Sequence, residues 1–360
     1  MKRFFNLFHS NAAPGKKQHN SGQAGRTGLS CRQLDQAEEM YSFEEVHVEY
    51  TILGRSGLRV SIVGLGCGGP SRLGQATGKS EQESIAVVRQ ALDSGITLFD
   101  TAEVYGTEAI VGKALEAVPR DQVVISTKKL PPSPDHPGPV GELKQGLEQS
   151  LRRLRTDYVD IYFLHGVRPE QYRYAYDVLA PVLLHMREEG KLRAVGITEA
   201  FISDPGHLML QQALAAECWD VMMVGFNLLN PSARNRVFKK TLEKNIGVLG
   251  MFAVRRALSQ PAQLKALIAD LTQRGQIDPG AYNAEDPLGF LTQEGKAATI
   301  PEAAYRYCRH EPGMHAVLTG TGNADHLKAN VTSLLKPPLT QADLQRLEAI
   351  FGGVDSVSGN

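Results

Sequence analysis

Thr97-Leu98-Phe99-Asp100-Thr101-Ala102-Glu103-Val104-Tyr105-Gly106 opens as a short apolar run and closes on a carboxylate, a phenol and a glycine. That is the composition of a buried strand running into a polar loop. The same design recurs along the chain. Apolar or β-branched runs stand at residues 61–66, 97–101, 123–127, 159–165, 194–198, 221–227, 247–253 and 316–319. Stretches of helical period follow them, among them 81–94, 140–154, 176–189, 205–217, 233–245 and 325–335. Eight strands with eight helical crossovers predict an α/β fold, a closed (β/α)8 TIM barrel. A hairpin signal, Leu53-Gly54-Arg55-Ser56-Gly57-Leu58, precedes the first strand, and residues 341–351 read as an extra C-terminal helix. The N-terminal hairpin should plug the bottom and the extra helix brace the side.

The organisation that follows is a leader at 1–48, a barrel at 49–352 and a tail at 353–360. The first 34 residues carry Lys2, Arg3, Lys16, Lys17, Arg26 and Arg32 without an acidic residue, and are rich in Gly, Ser, Asn and Gln. They show neither helical nor strand periodicity, so a disordered basic leader is expected in preference to a targeting arm. Met40 offers a second start. Between the seventh strand and its helix lies a stretch at 255–299, longer than ordinary barrel loops and expected to form a lid on the catalytic face.

The chain has 360 residues, 42% of them apolar, enough to bury a large core. Lysine plus arginine equals aspartate plus glutamate at 39 each, so no net field draws in nucleic acid or anionic membrane. A small-molecule partner is expected. Cys31, Cys67, Cys218 and Cys308 are widely spaced and form no C-x-x-C pair, which argues against zinc and a secreted disulfide framework. No metal is expected. No apolar run approaches the roughly 18 residues of a spanning helix, and a cytoplasmic protein with no membrane partner is expected. Oligomeric state leaves no signal.

Two phosphate-type motifs mislead. Gly64-Leu65-Gly66-Cys67-Gly68-Gly69 has G-x-G-x-x-G spacing, but Pro70 follows and the next helix begins only after Ser80. Gly74 to Ser80 places three residues between its glycines where a P-loop needs four. Ser80 with Glu83 instead makes a capping box.

The chemistry lies at strand ends. The second strand ends on Asp100 with Tyr105 just beyond, the third on Lys128 and the fourth on His165. In a barrel these ends converge on one rim. A lysine ammonium beside a phenol favours the phenolate and lowers its pKa, an aspartate fixes the lysine, and a histidine can orient a carbonyl oxygen. These four residues closely resemble the Asp, Tyr, Lys and His tetrad of the aldo-keto reductase family, without substitution. The resemblance runs from about residue 50 to residue 352. It includes Gly54-Arg55-Ser56-Gly57-Leu58-Arg59-Val60-Ser61, Asp157-Tyr158-Val159-Asp160 and Gly190-Lys191-Leu192-Arg193-Ala194-Val195-Gly196-Ile197.

The resemblance implies NADP or NAD as cofactor, direct hydride transfer and a carbonyl or alcohol substrate, with Asp100, Tyr105, Lys128 and His165 catalytic. An alternative is a cofactor-binding regulatory barrel with little turnover. Gly66 and Cys67, at the end of the first strand, count among the implied cofactor contacts. Where the family has Ser-Asn and Gln around the nicotinamide amide, this chain has Thr198, Glu199 and Met223. Glu199 is expected to accept from the amide NH2. The aromatic stacking position falls at Met251, with Phe252 next to it and favoured. Arg255 and Arg256 could clamp the pyrophosphate. Gly320, Thr321, Gly322 and Asn323 fall at the adenosine phosphate site, with Asn330 at the adenine position. His326 stands where a cation is common in the family, so discrimination between the two cofactors is expected to be modest.

Overall fold

The computed structural model describes residues 48–360 except residue 294. The leader expectation falls, apart from residue 48, outside the described residues, as does Cys31. Two antiparallel strands, β1 (Tyr50–Ile52) and β2 (Arg59–Ser61), form the N-terminal hairpin. Eight parallel strands then close a barrel. They are β3 (Val63–Gly66), β4 (Leu98–Asp100), β5 (Val124–Lys129), β6 (Val159–Val167), β7 (Leu192–Glu199), β8 (Val221–Gly225), β9 (Gly247–Met251) and β10 (Ala316–Thr319). They pair in the order β10-β3-β4-β5-β6-β7-β8-β9 and close the ring. The (β/α)8 barrel read from the sequence is the fold.

Strand side chains alternate inward and outward. The inward apolar set, Leu98, Val124, Ile161, Phe163, Ala194, Val221, Met223, Leu249 and Ala316, forms one cluster with Leu53, Leu58 and Val60 from the hairpin region. Leu53 is the plug. A Cβ at Gly247, the first residue of β9, would lie 2.7 Å from Leu53 Cγ. Glycine is needed there because the leucine fills the space. One strand turn higher the same inward faces become polar at Asp100, Ser126 and Lys128.

Helices α1 (Glu81–Asp93), α2 (Glu108–Leu115), α3 (Pro139–Leu154), α4 (Ala180–Glu188), α5 (Leu208–Ala213) and α6 (Lys239–Glu243) lie between successive strands. The α1 capping box forms: Ser80 Oγ accepts from Glu83 N and Glu83 Oε2 accepts from Ser80 N at 2.8 Å. Two helices differ in extent from the sequence reading. The helical stretch ahead of α4 starts at Tyr172 and includes a π segment, Ala175–Leu179. α5 is shorter than expected, because Asp204 caps the amides of Leu208 and Met209 and His207 sits in the left-handed region at φ 60.

The 255–299 stretch is packed rather than a bare lid. It holds α7 (Arg256–Ser259) and α8 (Pro261–Gln273), and Leu264, Ile268, Leu271, Leu288 and Leu291 belong to the main core. α9 (Ile300–Arg309), α10 (Ala324–Leu335) and α11 (Gln341–Phe351) complete the shell, α11 being the extra C-terminal helix.

The tail expected at 353–360 is corrected. Val354, Val357 and Ser358 are buried. Asn227 Nδ2 donates to Ser358 O at 3.2 Å, and Asn230 Nδ2 to Val357 O at 2.8 Å. The segment is part of the barrel because loop asparagines after β8 satisfy its carbonyls. No helix among the described residues is long and apolar enough to cross a membrane.

Candidate active site

Period-two alternation puts Lys128 and Ser126 on one face of β5, facing Asp100 at the end of β4. Lys128 Nζ donates to Asp100 Oδ2 at 2.6 Å and to Thr101 O at 2.8 Å, and Ser126 Oγ donates to Asp100 Oδ1 at 2.6 Å. The ammonium is 1% exposed. Tyr105 ends a short 3-10 turn, Glu103–Tyr105, between β4 and α2. Its ring lies with Lys128 Nζ 5.1 Å from the centroid, and its Oη is 3.2 Å from His165 Nε2. A Cβ at Gly68 would collide with that ring. Glycine there lets the phenol seat against the loop after β3. Asp100, Tyr105, Lys128 and His165 thus meet at one rim.

Burial alone would lower the Lys128 pKa, but the charge of Asp100 and its hydrogen bond hold it above its ordinary value, so the ammonium stays charged. Burial is also the largest influence on Tyr105 and raises it; Lys128 pulls it down without cancelling the rise. The sequence reading expected the lysine to dominate. It does not, because desolvating a phenolate costs more than this ammonium returns. Burial, with Lys128, drives His165 down to about 3, and the imidazole is neutral. Its Nδ1 is buried without a partner.

Residues not anticipated as part of this group are Ser126, Gly68 and the Thr101 carbonyl. Ser126 had a usable signal, since it is two residues before Lys128 on the same strand face. Gly68 had none outside its misleading glycine motif.

The remaining rim residues divide. At Gly66 and Gly320 the β3 and β10 ends are bare backbone: a Cβ at Gly320 would sit 3.0 Å from Gly66 O. A Cβ at Gly322 would lie 2.8 Å from Leu73 C, so the loops after β10 and β3 touch. Thr321 Oγ1 accepts from Asn323 N, and Asn323 Oδ1 accepts from the amides of Asp325 and His326. The amides of Asn323, Asp325 and His326 are thereby taken by the chain's own side chains, so a nucleotide phosphate at this end would have to use the backbone of Gly320, Thr321 and Gly322. Asn330 Nδ2 donates to Thr319 Oγ1 at 2.8 Å, which leaves a base its Oδ1 and its second N–H. Met251 and Phe252 are half-buried at the end of β9. Phe252 takes φ 69, an uncommon conformation for a phenylalanine. Arg255 stands 4.2 Å from the Phe252 ring centroid and donates from Nε to Asn360 Oδ1 at 2.7 Å, while Arg256 is exposed.

Two expected contacts are corrected. Glu199 points outward from β7 and is sealed: its carboxylate lies 2.9 Å from His207 Nδ1 and accepts from Gly225 N at 2.8 Å, out of reach of any amide at the rim. Cys67 is buried, with Sγ directed at Leu65 O and its N–H donated to Asp100 O, so neither atom faces a ligand. Met223 lies in the inward apolar layer, level in register with Thr198. Thr198 keeps its hydroxyl at the rim, where it accepts from Gly166 N at 2.6 Å. Among the described residues no group of His, Cys, Asp and Glu is arranged to hold a metal ion.

Residues 64–351 match the family model described as the Aldo/keto reductase family. The chain is 35% identical over 326 residues to L-galactose dehydrogenase of Arabidopsis thaliana, covering 86% of this chain and 97% of that one. It is 37% identical over 161 residues to the aldo-keto reductase YhdN of Bacillus subtilis strain 168, covering 42% of this chain and 47% of that protein. In fold it resembles an aldo-keto reductase of Bacillus halodurans in its holo form, with a TM-score of 0.65 at 24% identity over 84% of this chain and 96% of that one.

Proposed function

The chain belongs to the aldo/keto reductase family of oxidoreductases, and from that premise we propose that it is an NAD(P)(H)-dependent enzyme interconverting a carbonyl and an alcohol by direct hydride transfer, with Tyr105 giving or taking the proton. One observation carries the reading. A charged lysine, neutralised by a buried aspartate, stands beside a phenol whose oxygen is 3.2 Å from a neutral imidazole nitrogen. When bound, the nicotinamide supplies or accepts the hydride.

The chain's own residues handle the proton and the charge. Tyr105 Oη keeps its proton through neutral pH and hands it to the carbonyl oxygen in reduction. Lys128 stabilises the negative charge left on that phenol oxygen, and Asp100 holds the ammonium in place. His165, as the tautomer with hydrogen on Nε2, donates to the same substrate oxygen and orients it. The bare backbone of Gly66, Gly320, Thr321 and Gly322 would hold the nucleotide phosphates. Phe252 and Met251 would flank the ring, and Arg255 and Arg256 would reach the pyrophosphate. The near full-length match to L-galactose dehydrogenase favours a sugar-like alcohol or aldehyde within this class.

The test is Tyr105→Phe, followed by absorbance of the reduced nicotinamide with L-galactose and 4-nitrobenzaldehyde as probes. Turnover should fall about 10²- to 10⁴-fold with cofactor affinity unchanged. Activity retained within a few fold would overturn the role of Tyr105. Cofactor binding by the unaltered protein without turnover of any carbonyl probe would favour a regulatory barrel.

A further inference from the structure

We propose that Lys129, the residue after the lysine of the tetrad, is a positioning residue that holds the Tyr105 turn in place through Glu103. The inference rests on the reading of Tyr105 as proton donor. Alternation along β5 sends Lys128 into the barrel and Lys129 outward, toward the helices. Lys129 does not run out to solvent. Its side chain is 11% exposed and its Nζ lies 2.8 Å from Glu103 Oε2 and 3.4 Å from Glu142 Oε1. Glu103 opens the turn that Tyr105 closes, and Glu142 lies in the first turn of α3. One cation therefore ties a strand end, the phenol-bearing turn and a helix start.

The packing is built around that stem. A Cβ at Gly146 of α3 would collide with Lys129 Cδ and lie 2.9 Å from its Cε. The loop from β4 to α2 is closed at its base by the hydroxyls of Thr101 and Thr107, 2.8 Å apart. Its middle has no side-chain cap at the start of the 3-10 turn. The Glu103 pair supplies the tether there. Gly68 bounds the ring of Tyr105 from the β3 side and His165 meets its hydroxyl, so loosening the turn removes the support that comes from the ring's own loop. Lys129 is the more buried member, and removing it leaves Glu103 without its cation, whereas removing Glu103 leaves Lys129 only the longer contact to Glu142.

The experiment uses the whole protein with 4-nitrobenzaldehyde and reduced nicotinamide cofactor, from about pH 6 to about pH 11.5, which starts near the ordinary imidazole value and runs past the ordinary phenol value near 10. Assays run well below each variant's melting temperature. Lys129→Met and Glu103→Gln should each lower kcat about tenfold, with the cofactor KM within about twofold, because a small misplacement of the proton donor is costly. Water reaching the loosened phenol should move the alkaline fall-off of reduction to lower pH. Lys129→Arg should restore most of the rate, and the double variant should be no worse than the poorer single one. A Lys129→Met enzyme that melts earlier but keeps its kcat and pH profile would overturn the inference. If that variant does not fold, Glu103→Gln and Lys129→Arg decide it by the same readouts. Tyr105→Phe is run in parallel: if it keeps its rate, the reading of Tyr105 has failed, whatever Lys129 does.

Discussion

At Tyr105 a phenol withdrawn from water titrates above its ordinary value although an ammonium stands beside it, since the desolvation of the phenolate outweighs the pull of Lys128. A group whose pKa is raised keeps its proton to higher pH. Carbonyl reduction, which needs the protonated phenol, is expected to stay level through neutrality and fall only above the usual phenol range near 10. Alcohol oxidation, which needs the deprotonated form, should rise over that same interval. Rates in both directions across a pH series check the sign, and a fall in reduction centred near pH 7 would contradict it. His165 should add no limb between pH 5 and 8, because its pKa is driven down to about 3. Asp100→Asn tests the pair beneath the phenol. It removes the charge that keeps a buried ammonium protonated, so urea unfolding should show a loss of about 3 to 5 kcal/mol together with lower turnover. The four residues were legible because each stands at or just past a strand end, where barrel geometry gathers them. The net direction of the Tyr105 shift was not, because it depends on burial.

Among the elements, the strands were legible and the helix lengths less so. A run such as Val221 to Gly225 is buried on both faces and reads as continuous apolar sequence. The start and end of a helix depend instead on caps such as Asp204, whose partners Leu208 and Met209 give no periodic signal. The end of β7 shows what this does to a site. Thr198 and Glu199 were both placed with the cofactor, but alternation turns one inward and the other toward His207, eight residues further on in a loop. Glu199→Ala should therefore destabilise the fold by about 1 to 3 kcal/mol, the cost of leaving buried His207 and the Gly225 amide without their acceptor, with little change in cofactor affinity. Thermal melting and a cofactor titration separate the outcomes; weakened binding at unchanged stability would restore Glu199 to the rim. The start of α10 carries a second expectation. Asn323 caps its own helix, Asp325 adds a carboxylate to the first turn, and no lysine or arginine stands within that turn. The dissociation constants of the phosphorylated and unphosphorylated cofactors should differ by less than about a hundredfold, equivalent to roughly 2.7 kcal/mol. A larger preference for the phosphorylated form would show that Arg255 or Arg256 reaches it.

Across the whole molecule, the balanced charge and the count of strand–helix units could be read without coordinates, because both are sums over the chain. The course of residues 353–360 could not. That stretch is short and polar, with no period of its own, and it is ordered by donors from the loop after β8, far away in sequence. It also bears on the rim. Ala257 N donates to Gly359 O, and Asn360 holds Arg255 against Phe252. Deleting residues 354–360 would remove one of the two acceptors of each of the Asn227 and Asn230 amides, which keep Phe252 O and Pro205 O, uncover the apolar bed of Val354 and Val357, and release Arg255. Two N–H groups, one on each amide, left without acceptors at about 1 to 3 kcal/mol each give an expected loss of roughly 2 to 6 kcal/mol in unfolding free energy. The freed Arg255 should also weaken cofactor binding, so the two effects should appear together. Asn360→Ala alone isolates the second: it should weaken cofactor binding while leaving the melting temperature nearly unchanged, since Asn360 is exposed and the buried carbonyls of Val357 and Ser358 keep their donors. A truncated chain that melts and binds like the full one would show that the barrel closes without this segment.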